Sequence, residues 1–317
     1  MATTPRFDLA DVAALGERLR ANVGRAVKAV DEVVQDVLVA LLAEGHVLVE
    51  DRPGVGKTAL ARAFARSIDA EYARIQGTAD LLPADVVGTS IFNQREARFE
   101  FRPGPVFANI VLVDEINRAS PKTQSGLLEC MQERRVTVDV HTHEVARPFL
   151  VIATQNPLDY KGTYPLPEAQ LDRFMVRVSL GYPSPEQEAD MLAEHAAGDR
   201  VLDLTPVCDL SGVLAAQEAV TRVHASDALR RYVVAILERT RADERVELGA
   251  SPRAGLMLLR AAKAAAALEA RDHALPDDVQ TLAAAVLSHR LLLVPEAVRA
   301  DGAEAVVRDA VARVPAL

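Results

Sequence analysis

Residues 46–58 read His46-Val47-Leu48-Val49-Glu50-Asp51-Arg52-Pro53-Gly54-Val55-Gly56-Lys57-Thr58, a short apolar strand emptying into a loop of phosphate-binding type. Gly54 and Gly56 let the backbone turn where a Cβ would hinder it, so successive N–H groups can face inward around phosphate oxygens. Lys57 is placed to reach the β and γ phosphates, and the Thr58 hydroxyl to hold Mg²⁺. A helix expected over Ala59 to Ile68 offers the same anion its N-terminal N–H groups. Pro53, Val55 and Ala59 complete the stretch expected to wrap the phosphates. The strict pattern G-x-x-x-x-G-K-[ST] has a glycine five places before Gly56, and here that place holds Asp51.

Working outward, Asn109-Ile110-Val111-Leu112-Val113-Asp114-Glu115 is a buried-type strand that delivers two adjacent carboxylates at its C-terminal end, where open α/β sheets bind ligands. An acidic pair alone is commonly a solvated helix start. Behind a Lys57-Thr58 loop, Asp114 is suited to hold Mg²⁺ through its water shell, and Glu115 to orient and deprotonate the water that attacks a γ-phosphate. A third strand, Phe149 to Thr154, ends at Gln155-Asn156-Pro157, so Asn156 can donate its amide to the γ-phosphate or to that water. In Tyr164–Phe174, Arg173 closes a short helix with no obvious partner nearby, and could reach a neighbouring subunit's nucleotide to neutralise developing charge. Arg253 follows Ser251-Pro252 at a helix start, a position the helix dipole disfavours for a cation. An anionic ligand explains it more readily than an idle surface arginine.

These segments resemble the MoxR family of AAA+ ATPases. The resemblance rests on Glu50–Thr58, on Phe99-Glu100-Phe101-Arg102-Pro103-Gly104-Pro105, on Asp114-Glu115-Ile116-Asn117-Arg118-Ala119, on Val151–Phe174 and on Gly249-Ala250-Ser251-Pro252-Arg253. It extends over most of residues 20 to 295. It implies an α/β fold: an αβα nucleotide-binding core with a mainly parallel sheet and β-hairpin insertions, then an all-α lid. It also implies ATP and Mg²⁺ as ligands and assembly into a homo-oligomeric ring, commonly hexameric. Asn156 then resembles sensor 1, Arg173 the arginine finger and Arg253 sensor 2, the last acting in its own subunit or the next. Many members share the absence of the first glycine. A partner carrying a von Willebrand factor A domain, and chaperone-like maturation of a client protein or complex, are further expectations from the resemblance alone.

Composition fits an enzyme of this kind. The 317 residues are 50% hydrophobic, enough for a sizeable core, but only 4% aromatic with no Trp, so Ala, Leu and Val must fill that core and helices are favoured. A formal charge of −9 argues against a free-standing nucleic-acid binder, which would show a basic face. Cys130 and Cys208 form no C-x-x-C pair and fit a reducing compartment. With no leader-like start and no apolar run of about 18 residues, a cytoplasmic protein without membrane insertion is expected.

Helical periodicity covers Asp8–Arg20 and Ala26–Ala43, then Pro121–Arg134 with Leu127, Leu128 and Met131 as its inward stripe. Gly181-Tyr182-Pro183-Ser184-Pro185 is the clearest break. It divides an expected core, residues 1–183, from an expected lid, residues 184–317, with helices over Pro185–Ala197, Ser211–Ala219, Ser226–Ala242, Pro252–Arg271 and Pro276–His289. Two insertions stand out. Thr78–Phe107 suggests a hairpin projecting from a helix. Arg135–Arg147 reads as a β-hairpin with strands Arg135–Val140 and Val145–Arg147 around a four-residue turn, His141-Thr142-His143-Glu144. His141 and His143 lack a third metal ligand and read as exposed turn residues. Arg118 is either a second inter-subunit arginine or a partner for an acidic surface. Two other functions share these motifs: a nucleic-acid motor, disfavoured by a hairpin turn without Lys or Arg, and a magnesium-chelatase-like ATPase subunit, distinguished by its partners.

Overall fold

The computed structural model of the chain describes residues 7–27, 31–52, 54–156, 162–182, 185–186, 200–300 and 302–316. Pro53 and nearly all of the expected Pro185–Ala197 helix lie outside them. The strands are β1 (Val47–Glu50), β2 (Tyr72–Gln76), β3 (Gly88–Asn93), β4 (Arg98–Pro103), β5 (Ile110–Asp114), β6 (Arg135–Val138), β7 (His141–Glu144), β8 (Leu150–Gln155), β9 (Val176–Val178), β10 (Val246–Leu248) and β11 (Leu292–Leu293). The α-helices are α1 (Leu9–Gly24), α2 (Asp31–Leu42), α3 (Lys57–Ser67), α4 (Pro83–Val87), α5 (Pro121–Glu133), α6 (Glu168–Leu171), α7 (Leu210–Arg222), α8 (Asp227–Arg241), α9 (Pro252–Leu268), α10 (Pro276–Leu287), α11 (Pro295–Ala300) and α12 (Gly302–Arg313).

Helix starts follow side-chain caps. Asp8, Ser120, Asp209, Ser226 and Ser251 each accept a backbone N–H from the first turn of α1, α5, α7, α8 and α9, satisfying a donor the helix cannot. Pro121 and Pro252 sit at first helical positions, where the missing N–H costs nothing.

Five parallel strands form the sheet in the order β2-β5-β8-β1-β9. Such a sheet is covered on both faces, which is why β1, β5 and β8 are nearly continuous apolar runs. Val47, Val49, Ile110, Leu112, Leu150 and Ile152 face α1, α2 and α3 in one large core, which continues without a break into α7, α8, α9 and α10. Leu48, Val111, Val113, Val151 and Ala153 face the other way, against Leu127, Leu128 and Met131 of α5. The C-terminal part is helical, as expected, with one short antiparallel pair, β10 with β11, added to it. Its four described long helices match the expected spans to within a few residues, and α11 and α12 extend it.

The first insertion is α4 followed by the β3–β4 hairpin, with Phe92 opposite Phe99. The second differs from expectation. Strands β6 and β7 pair Val138 with His141, so the connection is Asp139–Val140, and His141–Glu144 is a strand, not a turn. Asp139 takes φ +55, a left-handed conformation that aspartate tolerates better than most residues, and this closes the short connection. His143 is thereby held on the sheet, where its ring stacks on Phe101 at 3.9 Å, and Phe101 in turn meets Phe107 at 5.5 Å. The two hairpins are therefore joined by aromatic contact, and beyond the joint Phe99 is 72% exposed.

Candidate functional site

Because the strands are parallel, three chain reversals gather at one edge of the sheet. β1 ends in the Asp51–Thr58 loop, β5 in Asp114 and Glu115, and β8 in Gln155 and Asn156. Since β8 lies between β5 and β1, Asn156 stands between the acidic pair and the loop.

In the loop, Gly54 has φ +87 and Gly56 φ +95. Gly56 also occupies the N-cap of α3, where no side chain caps the helix, so the first N–H groups are left for a ligand with negative charge. Lys57 Nζ donates to the Asp51 carbonyl at 2.5 Å. Partial burial pulls its pKa down, while Asp51, Asp114 and Glu115 pull it back up, so the lysine feels both the loop and the acidic pair. Asp51, standing where the strict pattern has glycine, accepts from Gly181 N at 2.8 Å and Ser179 Oγ at 3.2 Å. Arg52 donates to the Tyr182 hydroxyl at 3.2 Å and lies 5.2 Å from its ring centroid. The start of the loop is thus tied to the chain leaving β9.

Four residues that the sequence reading did not single out organise the acidic pair. The buried Thr154 hydroxyl donates to Asp114 Oδ1 at 2.8 Å and accepts from Glu115 N at 2.9 Å. From the edge strand, Arg74 Nη2 donates to Asp114 Oδ2 at 2.7 Å and to Gln76 Oε1 at 2.8 Å, and Gln76 Nε2 donates to Glu115 Oε2 at 3.2 Å. Arg74 and Gln76 share a face because strand side chains alternate. Gly77 N donates to the Asp114 carbonyl at 2.7 Å, and a Cβ on Gly77 would lie 2.1 Å from the Glu115 carbonyl oxygen. Glu115 itself is held at φ +54. Thr154 was legible as a polar residue ending an apolar strand; Gly77, as a glycine directly after one. Arg118 pairs with Glu115, Nε to Oε2 at 3.3 Å, so the acidic partner open in the sequence is the strand-end carboxylate.

Arg173 and Arg253 lie elsewhere. β9 runs parallel to β1, pairing Val176 with Val47, so Arg173 precedes the opposite, N-terminal edge of the sheet. The length of β1, about 10 Å, separates that edge from the loop. Arg253 Nη1 donates to Gln132 Oε1 at 3.4 Å, and the adjacent Met131 carbonyl is bonded to His46 just ahead of β1. Both arginines therefore sit on the edge away from their own chain's loop. Asp172 links them: it precedes Arg173 and accepts from the Ser251 hydroxyl at 3.3 Å, at the start of the helix that carries Arg253.

Among the described residues no helix is long and apolar enough to cross a membrane. The profile of the ATPase family associated with various cellular activities (AAA) matches residues 46–176, and that of the AAA lid domain matches residues 238–310. Protein YeaC of Bacillus subtilis is 50% identical over 92% of this chain and 94% of its own length. Chaperone MoxR1 of Mycobacterium tuberculosis is 41% identical over 95% of this chain and 82% of its own. A crystal structure of a candidate ATPase from Cytophaga hutchinsonii superposes with a TM-score of 0.89 at 35% identity, covering 98% of this chain and 97% of that one. With a phosphate-type loop, a strand-end acidic pair and a helical lid in one chain, and relatives matched along nearly its whole length, the protein belongs to the MoxR family of AAA ATPases.

Proposed function

We propose that the chain hydrolyses ATP to ADP and phosphate at interfaces between its own copies, and uses the cycle for chaperone-like remodelling or maturation of a client protein or complex. The observation that carries this reading is the division of the charged groups: loop and acidic pair on one edge of the sheet, Arg173 and Arg253 on the other. A subunit built this way needs a neighbour to bring arginines to its phosphates.

In this reading residues 54–59 cradle the phosphates, Lys57 pairs with the β and γ oxygens, Glu115 takes the proton of the attacking water, and Asn156 holds that water or the γ-phosphate. Arg173 of the next subunit neutralises charge developing on the transferred group, with Arg253 beside it. Thr58 and Asp114 offer the hard oxygen donors that suit Mg²⁺, and with Thr154 Oγ1 on Oδ1 and Arg74 on Oδ2 the Asp114 carboxylate is held in a fixed orientation at the strand end. The bound cation would supply charge neutralisation at the phosphate oxygens. The division into a core over 1–183 and a lid over 184–317, a hexameric ring, a cytoplasmic setting and a partner with a von Willebrand factor A domain belong to the same proposal.

The test is Glu115→Gln. It should bind ATP as tightly as the parent and turn over several orders of magnitude more slowly. Turnover at the parent rate removes Glu115 from this role. Absence of ATP affinity in the parent protein overturns the reading altogether. Specific activity of the parent should rise with protein concentration, since each site is completed by association.

A further inference from the structure

Arg290 is not used by the reading above, yet its side chain is only 1% exposed and three of its hydrogen bonds converge on residues 172–174. Its Nη1 pairs with the Asp172 carboxylate and donates to the Asp172 carbonyl at 3.1 Å, while Nη2 donates to the Phe174 carbonyl. Nη2 also meets Met257 Sδ at 2.8 Å, and Nε donates to the Val286 carbonyl at 2.7 Å. The neighbouring His289 donates from Nε2 to the Phe174 carbonyl at 3.1 Å. The residues on both sides of Arg173 are thus clamped through their carbonyls, by two side chains of the lid. The same Asp172 carboxylate receives the Ser251 hydroxyl, whose oxygen also caps α9 by accepting from Ala254 N at 3.1 Å. Arg173 is itself held at the backbone, its N–H donating to the Gln170 carbonyl at 3.2 Å, so what is fixed is the stretch of chain that carries the guanidinium.

A buried ion pair is a poor device for stability, because apolar residues of similar volume often do as well; what it gives is a defined geometry. The bidentate fork of arginine fixes direction as well as distance, which lysine would not. We propose that Asp172 and Arg290 are positioning residues: they lock the Arg173 segment to the start of the Arg253 helix, so that both arginines reach the neighbouring subunit's nucleotide as one rigid unit. This rests on the inter-subunit site proposed above.

The experiment uses the full-length protein and four variants, Arg173→Ala, Asp172→Asn, Lys57→Ala and the double variant Arg173→Ala/Asp172→Asn. ATP affinity is measured by titration and turnover is expressed per ATP-binding subunit. Asp172→Asn should bind ATP within twofold of the parent and lose at least tenfold in kcat. The double variant should be as slow as Arg173→Ala and no slower. Mixing Asp172→Asn subunits with Lys57→Ala subunits should restore turnover, because the intact loops of the first then face the intact arginines of the second. If Arg173→Ala mixed with Lys57→Ala regains nothing, the inter-subunit reading itself fails. If that mixture works but Asp172→Asn turns over like the parent, or its loss multiplies with that of Arg173→Ala, the joint is refuted alone. Should Asp172→Asn lose ATP binding as well, the pair serves the fold and the proposal is equally overturned.

Discussion

Gly77→Ala tests the geometry of the acidic pair with a single methyl group. Gly77 follows β2 with its N–H bonded to the Asp114 carbonyl, and the added Cβ would stand 2.1 Å from the Glu115 carbonyl oxygen, 2.8 Å from its carbon and 2.9 Å from the Asp114 carbonyl oxygen. All three are backbone atoms, so no side chain can swing away. Real contacts of this kind stay above 3.0 Å, which requires the end of β5 to shift by about 1 Å. A displacement of about 1 Å at a reacting centre costs on the order of 100-fold in rate. The strain itself should lower stability by about 1–3 kcal/mol, within the range for overpacking. Steady-state phosphate release and nucleotide titration, both normalised to the folded fraction from a urea curve, separate the two effects. The expected result is ATP affinity within a few-fold of the parent and kcat down about 100-fold. A variant that hydrolyses ATP at the parent rate would show that the close approach of Gly77 to Glu115 does not position the carboxylate.

Other perturbations probe different parts of the molecule. His46 is fully buried between the Met131 carbonyl and Val151 N, and burial pulls its pKa down to about 4 from 6.5. The unfolded chain therefore binds a proton that the folded one refuses between those pH values. Stability should fall as pH drops from 6.5 toward 4, by about 3 kcal/mol from this residue, and His46→Gln should remove that share of the pH dependence in urea titrations. Asp36 works in the opposite direction: burial, then Glu32, push its carboxyl up to about 6 from 3.8, so the native state prefers it protonated. Asp36→Asn should add about 1–3 kcal/mol at pH 7 and nothing below pH 3.8, and an equal gain at both pH values would refute the cause. Gly56→Ala forces a Cβ onto a residue at φ +95 and should weaken ATP binding in a nucleotide titration while costing about 1–2 kcal/mol of stability.

Much of the fold was legible because apolar runs and helix caps are local signals. Val47–Val49 and Ile110–Val113 announce buried parallel strands, and Ser120-Pro121 and Ser251-Pro252 announce helix starts, without any knowledge of what packs against them. The second hairpin was misread for a physical reason. His141-Thr142-His143-Glu144 is polar enough for a turn, but His143 earns its strand position from the ring of Phe101, some forty residues earlier, and no local pattern reports that contact. The same limit applies at the candidate site. Lys57, Asp114 and Glu115 carry recognisable spacing, whereas Arg74, Gln76 and Gly77 matter through their register beside β5, which becomes visible only when the strands are paired. Arg290, at the far end of the chain from the segment it grips, had no signal at all in the sequence.

The unbroken apolar interior that runs from the sheet through α1, α2 and α3 into α7–α10 constrains how the proposed remodelling could be driven. Prying the C-terminal helices off would bare Val37, Leu41, Leu258 and Leu282 to water, at a cost of about 1.5–3 kcal/mol for each large side chain. In the proposed assembly, sliding one whole protomer across the next would break none of these contacts. Each copy should therefore travel as a stiff brick, with strokes made at the seams between bricks, and a protease nick near residue 183 should leave both pieces clinging together until the protein is denatured.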